Sequence, residues 1–168
     1  MRMGDACAHH RHDTGLDSED LHIALGEAEA RCVRRGERMT EPRRRVLELL
    51  LASGEPVKAY DLIAAYGADG QAAKPPTVYR ALEFLERQGL AHRIASISAY
   101  VACSHGERSH AAAFLICDCC GAAVEVSPPA MAGLGEPAAE HGYVLERVAI
   151  EGHGLCPDCR RPAAGASA

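Results

Sequence analysis

Two short stretches of the chain place paired thiols at metal-ligand spacing: Cys117-Asp118-Cys119-Cys120-Gly121 and Cys156-Pro157-Asp158-Cys159. Two residues between thiols let successive backbone turns aim both sulfurs at one ion. Two such knuckles make a closed, tetrahedral, four-thiolate zinc site of the structural kind. Cys117, Cys120, Cys156 and Cys159 are the candidate ligands. Cys119 stays ambiguous, either a spare thiol or a swapped partner for Cys117. The 35 residues between Cys120 and Cys156 exceed the spacing of a simple ribbon, so a strand and a helix must fill the gap. A redox pair is the functional rival, but two pairs favour metal, and paired cysteines in a reducing cytoplasm are more often ligands than disulfides.

Eight cysteines and nine histidines leave donors to spare. His92, Cys103, His110 and Glu125 form a second, dispersed group, with His105, His141, His153 and Cys119 as competitors. Pattern alone does not choose among them. Cys32 reads as a buried thiol. Cys7, His9, His10 and His12 could bind metal weakly, although a tail without function explains them as well.

The elements that must position these groups fall into two sets. Residues 1–16 are polar and unpatterned, a flexible tail. After Ser18 as N-cap, Leu21, Leu25, Ala28, Cys32 and Val33 share a helical stripe that Gly36 ends. Thr40-Glu41-Pro42 opens a second helix with proline in the first turn, Val46, Leu47, Leu50 and Leu51 face inward, and Ser53-Gly54 stops it. A third helix covers about Ala59 to Tyr66, with Leu62, Ile63 and Tyr66 inward. A fourth runs from about Thr77 to Gln88, with Val78, Ala81, Leu82 and Leu85 as its apolar stripe and Gly89 closing it. Strands at Ala91–Ala95 and Ala99–Ala102 follow. Helices and a hairpin in this order are the parts of a winged helix-turn-helix, occupying residues 17–102.

Residues 103–160 change character. Phe114–Ile116 and Ala122–Val126 read as strands around the first knuckle, Pro128–Gly142 as a helix, and Tyr143–Ile150 as a strand leading to the second knuckle. Residues 161–168 read as a disordered tail. The fold class is therefore α+β, a winged helix followed by a small α/β domain carrying the four-cysteine zinc site.

The chain of 168 residues is 48% hydrophobic, with no Trp and two Phe, so its core must be aliphatic. No apolar run approaches the roughly 20 residues of a membrane helix, and no leader pattern opens the sequence; a cytoplasmic protein is expected. The net charge of −5 hides an asymmetry. Residues 31–97 hold 12 basic and 8 acidic side chains, whereas residues 98–168 hold 4 and 8. A basic middle points to a polyanion. In a helix-turn-helix the second helix enters the major groove, and the exposed face here offers Thr77, Tyr79, Arg80 and Glu83. Arginine grips guanine bidentately, and hydroxyls suit phosphates. Thr77, Tyr79 and Arg80 are the candidate contacts to double-stranded DNA, with Arg43, Arg44 and Arg45 as backbone grips or a solvated basic face.

Lys74-Pro75-Pro76-Thr77-Val78-Tyr79-Arg80-Ala81-Leu82-Glu83-Phe84-Leu85, Gly89-Leu90-Ala91-His92-Arg93-Ile94 and Ala99-Tyr100-Val101-Ala102-Cys103 closely resemble the ferric-uptake-regulator family, on its zinc-responding side. So do Phe114-Leu115-Ile116-Cys117-Asp118-Cys119-Cys120-Gly121 and Gly152-His153-Gly154-Leu155-Cys156. The resemblance spans roughly residues 20 to 160. It implies an N-terminal winged helix, a C-terminal dimerisation domain, a structural zinc on four cysteines, and a regulatory zinc on His92, Cys103, His110 and Glu125. It also implies two zinc ions per chain, a homodimer, no enzymatic activity, and repression of zinc-uptake genes under zinc excess. Iron and peroxide sensors of the family carry a His-x-His cluster before the first knuckle, where this chain has Ala111, Ala112 and Ala113. A member sensing iron, manganese or peroxide is the alternative. A thiol oxidoreductase lacks a thioredoxin-like context, and a zinc-stabilised interaction module leaves the basic segment unexplained.

Overall fold

The computed structural model describes residues 15–67, 74–103, 112–127, 133–145 and 148–160. They fall into two compact units, 15–103 and 112–160.

In the first unit, α1 (Ser18–Arg34), α2 (Glu41–Ser53), α3 (Ala59–Gly67) and α4 (Pro75–Arg87) pack with a small sheet of β1 (Val57–Lys58), β2 (Ala91–Ile94) and β3 (Ala99–Ala102). Asp17, not Ser18, caps α1: its carboxylate accepts from the N–H groups of Glu19 and Asp20 at 3.0 and 2.9 Å. A carboxylate also suits the positive end of the helix, as Arg31 and Arg34 suit its last turn. Leu25, Ala28 and Cys32 are buried, but Val33 is 72% exposed. Adjacent residues point about 100° apart on a helix, so Val33 falls off the stripe that closes on Cys32.

On α2, Val46, Leu47 and Leu50 face the core, and Gly54 ends the helix in the left-handed region at φ +63°. Helix α4 begins at Pro75, two residues before the expected start, because proline costs nothing where the first-turn N–H groups lack helical partners. Phe84 joins Val78, Ala81, Leu82 and Leu85 in the core, a position that the expected stripe left out. The wing is the β2–β3 hairpin, with β1 on the far side of β3.

In the second unit, β4 (Ala112–Cys117) is the central strand between β5 (Ala123–Val126), antiparallel to it, and β6 (Ala149–Gly154), parallel to it. Short helices α5 (Gly135–Glu140) and α6 (Pro157–Arg160) complete it. Among its described residues Ala112, Ala113, Phe114, Ile116 and Cys117 are buried, while Leu115 and Val124 sit opposite one another in register, 57% and 60% exposed.

Two expectations fail here. Of the helix expected over 128–142, the described residues 133–142 hold only Gly135–Glu140, with Gly133 and Gly142 at φ +71° and +72° on either side; residues 128–132 lie outside those described. The strand expected at 143–150 instead occupies Ala149–Gly154, and Tyr143 and Val144 are exposed. Tertiary pairing overrides propensity: β6 pairs in parallel with β4, and at Gly152 a Cβ would sit in close contact with the Leu115 side chain, 3.3 Å from its Cδ2.

Candidate metal centre and DNA-reading helix

The end of β4 delivers Cys117, the turn after it delivers Cys120, and the end of β6 with α6 delivers Cys156 and Cys159. The four sulfurs lie within 4.8 Å of one another. An ion about 2.3 Å from each of four tetrahedral sulfurs holds them about 3.8 Å apart; Cys120 Sγ and Cys156 Sγ are 3.9 Å apart. Backbone N–H groups already serve the sulfurs, Cys156 donating to Cys117 Sγ at 3.3 Å and Cys159 to Cys156 Sγ at 3.4 Å. Burial pushes the Cys117 thiol up, but the N–H groups of Cys120, Cys156 and Cys119 outweigh it and bring it down to about 6. Cys120 and Cys159 are raised, by burial first and then by sharing protons with neighbouring sulfurs. Four converging thiols with one already a ready anion fit zinc.

His153, left open by the sequence, ties β6 to the first knuckle. Its Nδ1 lies 2.9 Å from Asp118 Oδ1, between the ligands of the first knuckle, and its Nε2 is 3.9 Å from Glu151. Cys119 is exposed, and Cys32 is fully buried, its thiol pushed up by burial.

Of the second donor group, His92 lies on β2, opposite Val101 of β3. Cys103 follows β3, its N–H donating to the Leu90 carbonyl at 3.0 Å, so the hairpin ladder extends one bond beyond Ala102. A His92 ring nitrogen and Cys103 Sγ lie within 4.8 Å of each other. In the other unit Glu125 is half-buried on β5, opposite Phe114. His110 lies outside the described residues, as do His105, Cys7, His9, His10 and His12.

On α4, Tyr79 and Arg80 are exposed and Thr77 is half-buried in the first turn. The three arginines of α2 are engaged within the unit. Arg43 lies over the Phe84 ring, 3.5 Å from its centroid. Arg44 pairs with Glu29 of α1 at 2.8 Å, and Arg45 with Glu48 at 3.0 Å. The sequence does not single out Arg31 of α1 and Arg35, the residue that caps it, which meet the end of α4.

A winged helix in one unit and a four-thiolate knuckle pair in the other define a metal-linked DNA-binding regulator. The model of the ferric uptake regulator family matches residues 34–153. The zinc uptake regulation protein of Escherichia coli (strain K12) is 39% identical over 137 residues, 80% of each chain. Among solved structures, a zinc uptake regulator complexed with zinc and DNA superposes with a TM-score of 0.76 at 38% identity, covering 83% of this chain and 94% of that one. Holo XcZur gives a TM-score of 0.73 at 39% identity, covering 83% and 97%. The chain belongs to the ferric uptake regulator family, and so is a regulator rather than an enzyme. No helix among the described residues is long and apolar enough to cross a membrane.

Proposed function

We propose that this chain is a zinc-responsive transcriptional repressor, binding operator DNA as a zinc-loaded homodimer and silencing zinc-uptake genes when zinc is plentiful. The observation that carries this is its likeness, over 83% of its length, to a zinc uptake regulator solved with both zinc and DNA. Cys117, Cys120, Cys156 and Cys159 hold a structural zinc. His92, Cys103, His110 and Glu125 hold a second, regulatory one, giving two per chain. One thiolate, two imidazoles and a carboxylate suit four-coordinate zinc and are softer than a manganese or magnesium site. Bound there, the ion supplies a crosslink between the DNA-reading unit, residues 17–102, and the dimerisation unit, residues 103–160.

Thr77, Tyr79 and Arg80 make the DNA contacts of α4. Arg43, Arg44 and Arg45 contribute to backbone grip less than their charge implies, because each has a partner inside its own unit. The outward pair Leu115 and Val124 supplies apolar surface for subunit pairing. A two-fold dimer then presents two α4 helices to half-sites a helical turn, or a multiple of it, apart. Turning a 1:99 mixture of binding-competent and incompetent forms into 99:1 takes about 5.5 kcal/mol of differential affinity, within reach of a four-ligand zinc site. The work is done in the cytoplasm, where thiols stay reduced.

The test uses a duplex selected from random-sequence DNA by the zinc-loaded protein. Binding should require zinc, and Cys103→Ser should abolish it while the protein remains dimeric. Purified protein should carry two zinc ions per chain, one removable by mild chelation. Binding driven by iron or manganese in place of zinc would transfer the reading to that alternative, and metal-independent binding by the wild type would end it.

A further inference from the structure

His153 belongs neither to the four thiols nor to the DNA-reading face, yet it lies where the two cysteine knuckles are joined. The parallel ladder of β4 and β6 sets Ile116 opposite His153 and Cys117 opposite Gly154. One residue further, the Asp118 N–H donates to the Gly154 carbonyl at 2.8 Å, so the pairing reaches into the first knuckle. The second knuckle opens at Cys156, two residues after Gly154. Backbone pairing thus delivers the leading thiol of each knuckle to the same end of the sheet.

Side chains close the same joint. His153 Nδ1 lies 2.9 Å from Asp118 Oδ1. An ionised carboxylate only accepts, so the ring donates from Nδ1. Its other nitrogen, Nε2, is 3.9 Å from Glu151 Oε2, and Glu151 stands two positions earlier on the same face of β6. The imidazole therefore sits between a carboxylate of its own strand and one inside the turn that joins Cys117 to Cys120. The other printed ties between the knuckles run through sulfur: the Cys156 N–H to Cys117 Sγ at 3.3 Å, and Cys120 Sγ to Cys156 Sγ at 3.9 Å. The His153–Asp118 bond uses no ligand atom, so it persists when a sulfur moves.

We propose that His153 is a positioning residue for the four-cysteine centre, and that its bond to Asp118 keeps the knuckles together when a sulfur leaves the ion and thereby slows zinc release. The inference rests on the reading of these four cysteines as zinc ligands. Each knuckle is a two-thiol module, and holding the modules together keeps the effective concentration of a displaced thiol high. With the bond cut, the knuckles part more readily, and a competing chelator meets an ion held by one module alone. Both side chains are part-exposed, 38% for His153 and 59% for Asp118, so water competes for the bond and its effect is moderate.

The test follows zinc release from the full chain to excess chromogenic chelator at one fixed pH, after mild chelation has removed any loosely held ion. His153→Leu should release the remaining zinc about fivefold faster, equivalent to about 1 kcal/mol. His153→Asn, whose amide can place an N–H where Nδ1 stands, should restore the slow rate. His153→Gln, whose amide reaches toward the Nε2 position, should not. Asp118→Ala should match His153→Leu, and the double variant should be no faster than either single one. A merely structural role predicts additive single effects and no rescue by asparagine, and either result overturns the proposal, as does unchanged release from His153→Leu. Should His153→Leu fail to fold, Asp118→Ala, at the more exposed position, decides by the same measurement. If the wild type holds a chelator-resistant zinc that Cys156→Ser loses, but release ignores both His153 and Asp118, this inference alone falls. If the wild type holds no such zinc, the four-cysteine reading falls with it.

Discussion

Replacing Cys156 by serine should damage one half of the molecule and spare the other. Cys120 and Cys156 are 36 positions apart in the chain, and fixing the ends of a loop that long removes chain entropy worth about 4 kcal/mol. Whole domains are stable by only about 5–15 kcal/mol. Among the described residues of the second unit those buried are Ala112, Ala113, Phe114, Ile116 and Cys117, a small group to set against the loss. The first unit has a core of its own, built from α1, α2, α3 and α4. Hydrogen exchange followed by mass spectrometry should therefore show β4 and β6 amides exchanging several hundredfold faster in Cys156→Ser, since every 1.4 kcal/mol is a factor of ten. Amides of α2 and α4 should keep their rates. Undiminished protection of β4 and β6 would mean that no ion closes this loop, and loss of protection spread equally through α2 and α4 would mean that the units do not melt separately.

Zinc loading of the four-cysteine centre should release protons, because Cys120 and Cys159 hold theirs more tightly than ordinary thiols whereas Cys117, at about 6, is already ionised at neutral pH. Apparent zinc affinity should thus fall as pH drops through the neutral range, and calorimetry in buffers of different ionisation enthalpy measures the proton count; a pH-independent affinity contradicts it. Arg43→Ala uncovers the Phe84 ring and should cost about 1 kcal/mol, lowering the melting temperature of the first unit by about 4–8 °C, as a thermal scan will show. Leu115→Lys puts a charge on the outward face of β4 and should shift sedimentation toward monomer with the zinc content unchanged. Arg80→Ala should weaken binding to the selected duplex and relax its preference at one base pair, by about 1–3 kcal/mol in competition assays.

Local patterns in the chain carry much of this architecture. The knuckles are legible because each pair of ligands is two residues apart, and the helices of the first unit because their apolar stripes repeat at helical period. What the sequence hides is tertiary. Asp17 outcompetes Ser18 as a cap although both are good ones, and nothing local ranks them. Tyr143-Val144-Leu145 looks more like a strand than Glu151-Gly152-His153-Gly154, yet it is the glycine-bearing segment that pairs with β4 and leads straight into the second knuckle. Arg43, Arg44 and Arg45 advertise a basic face, but their partners Phe84, Glu29 and Glu48 are visible only once helices are packed. The dispersed donor set comes from family resemblance, because no spacing links His92 to Glu125.

The parallel pairing of β6 with β4 has a further consequence. A strand reading Ala-Ile-Glu-Gly-His-Gly has few side chains with which to choose its own alignment, and a slip by one residue would swap its two faces. Side-chain anchoring gathers at one end, where Asp118 donates its N–H to Gly154, His153 meets Asp118, and the sulfurs of both knuckles converge, whereas the other end is held by the backbone bond from Ala112 N–H to Val148. The cysteines therefore act as a ratchet pawl for the sheet: with the pawl lifted the strand can creep, and mis-stepped copies with mismatched edges, rather than fully unfolded chains, become the first species lost to proteases or aggregation.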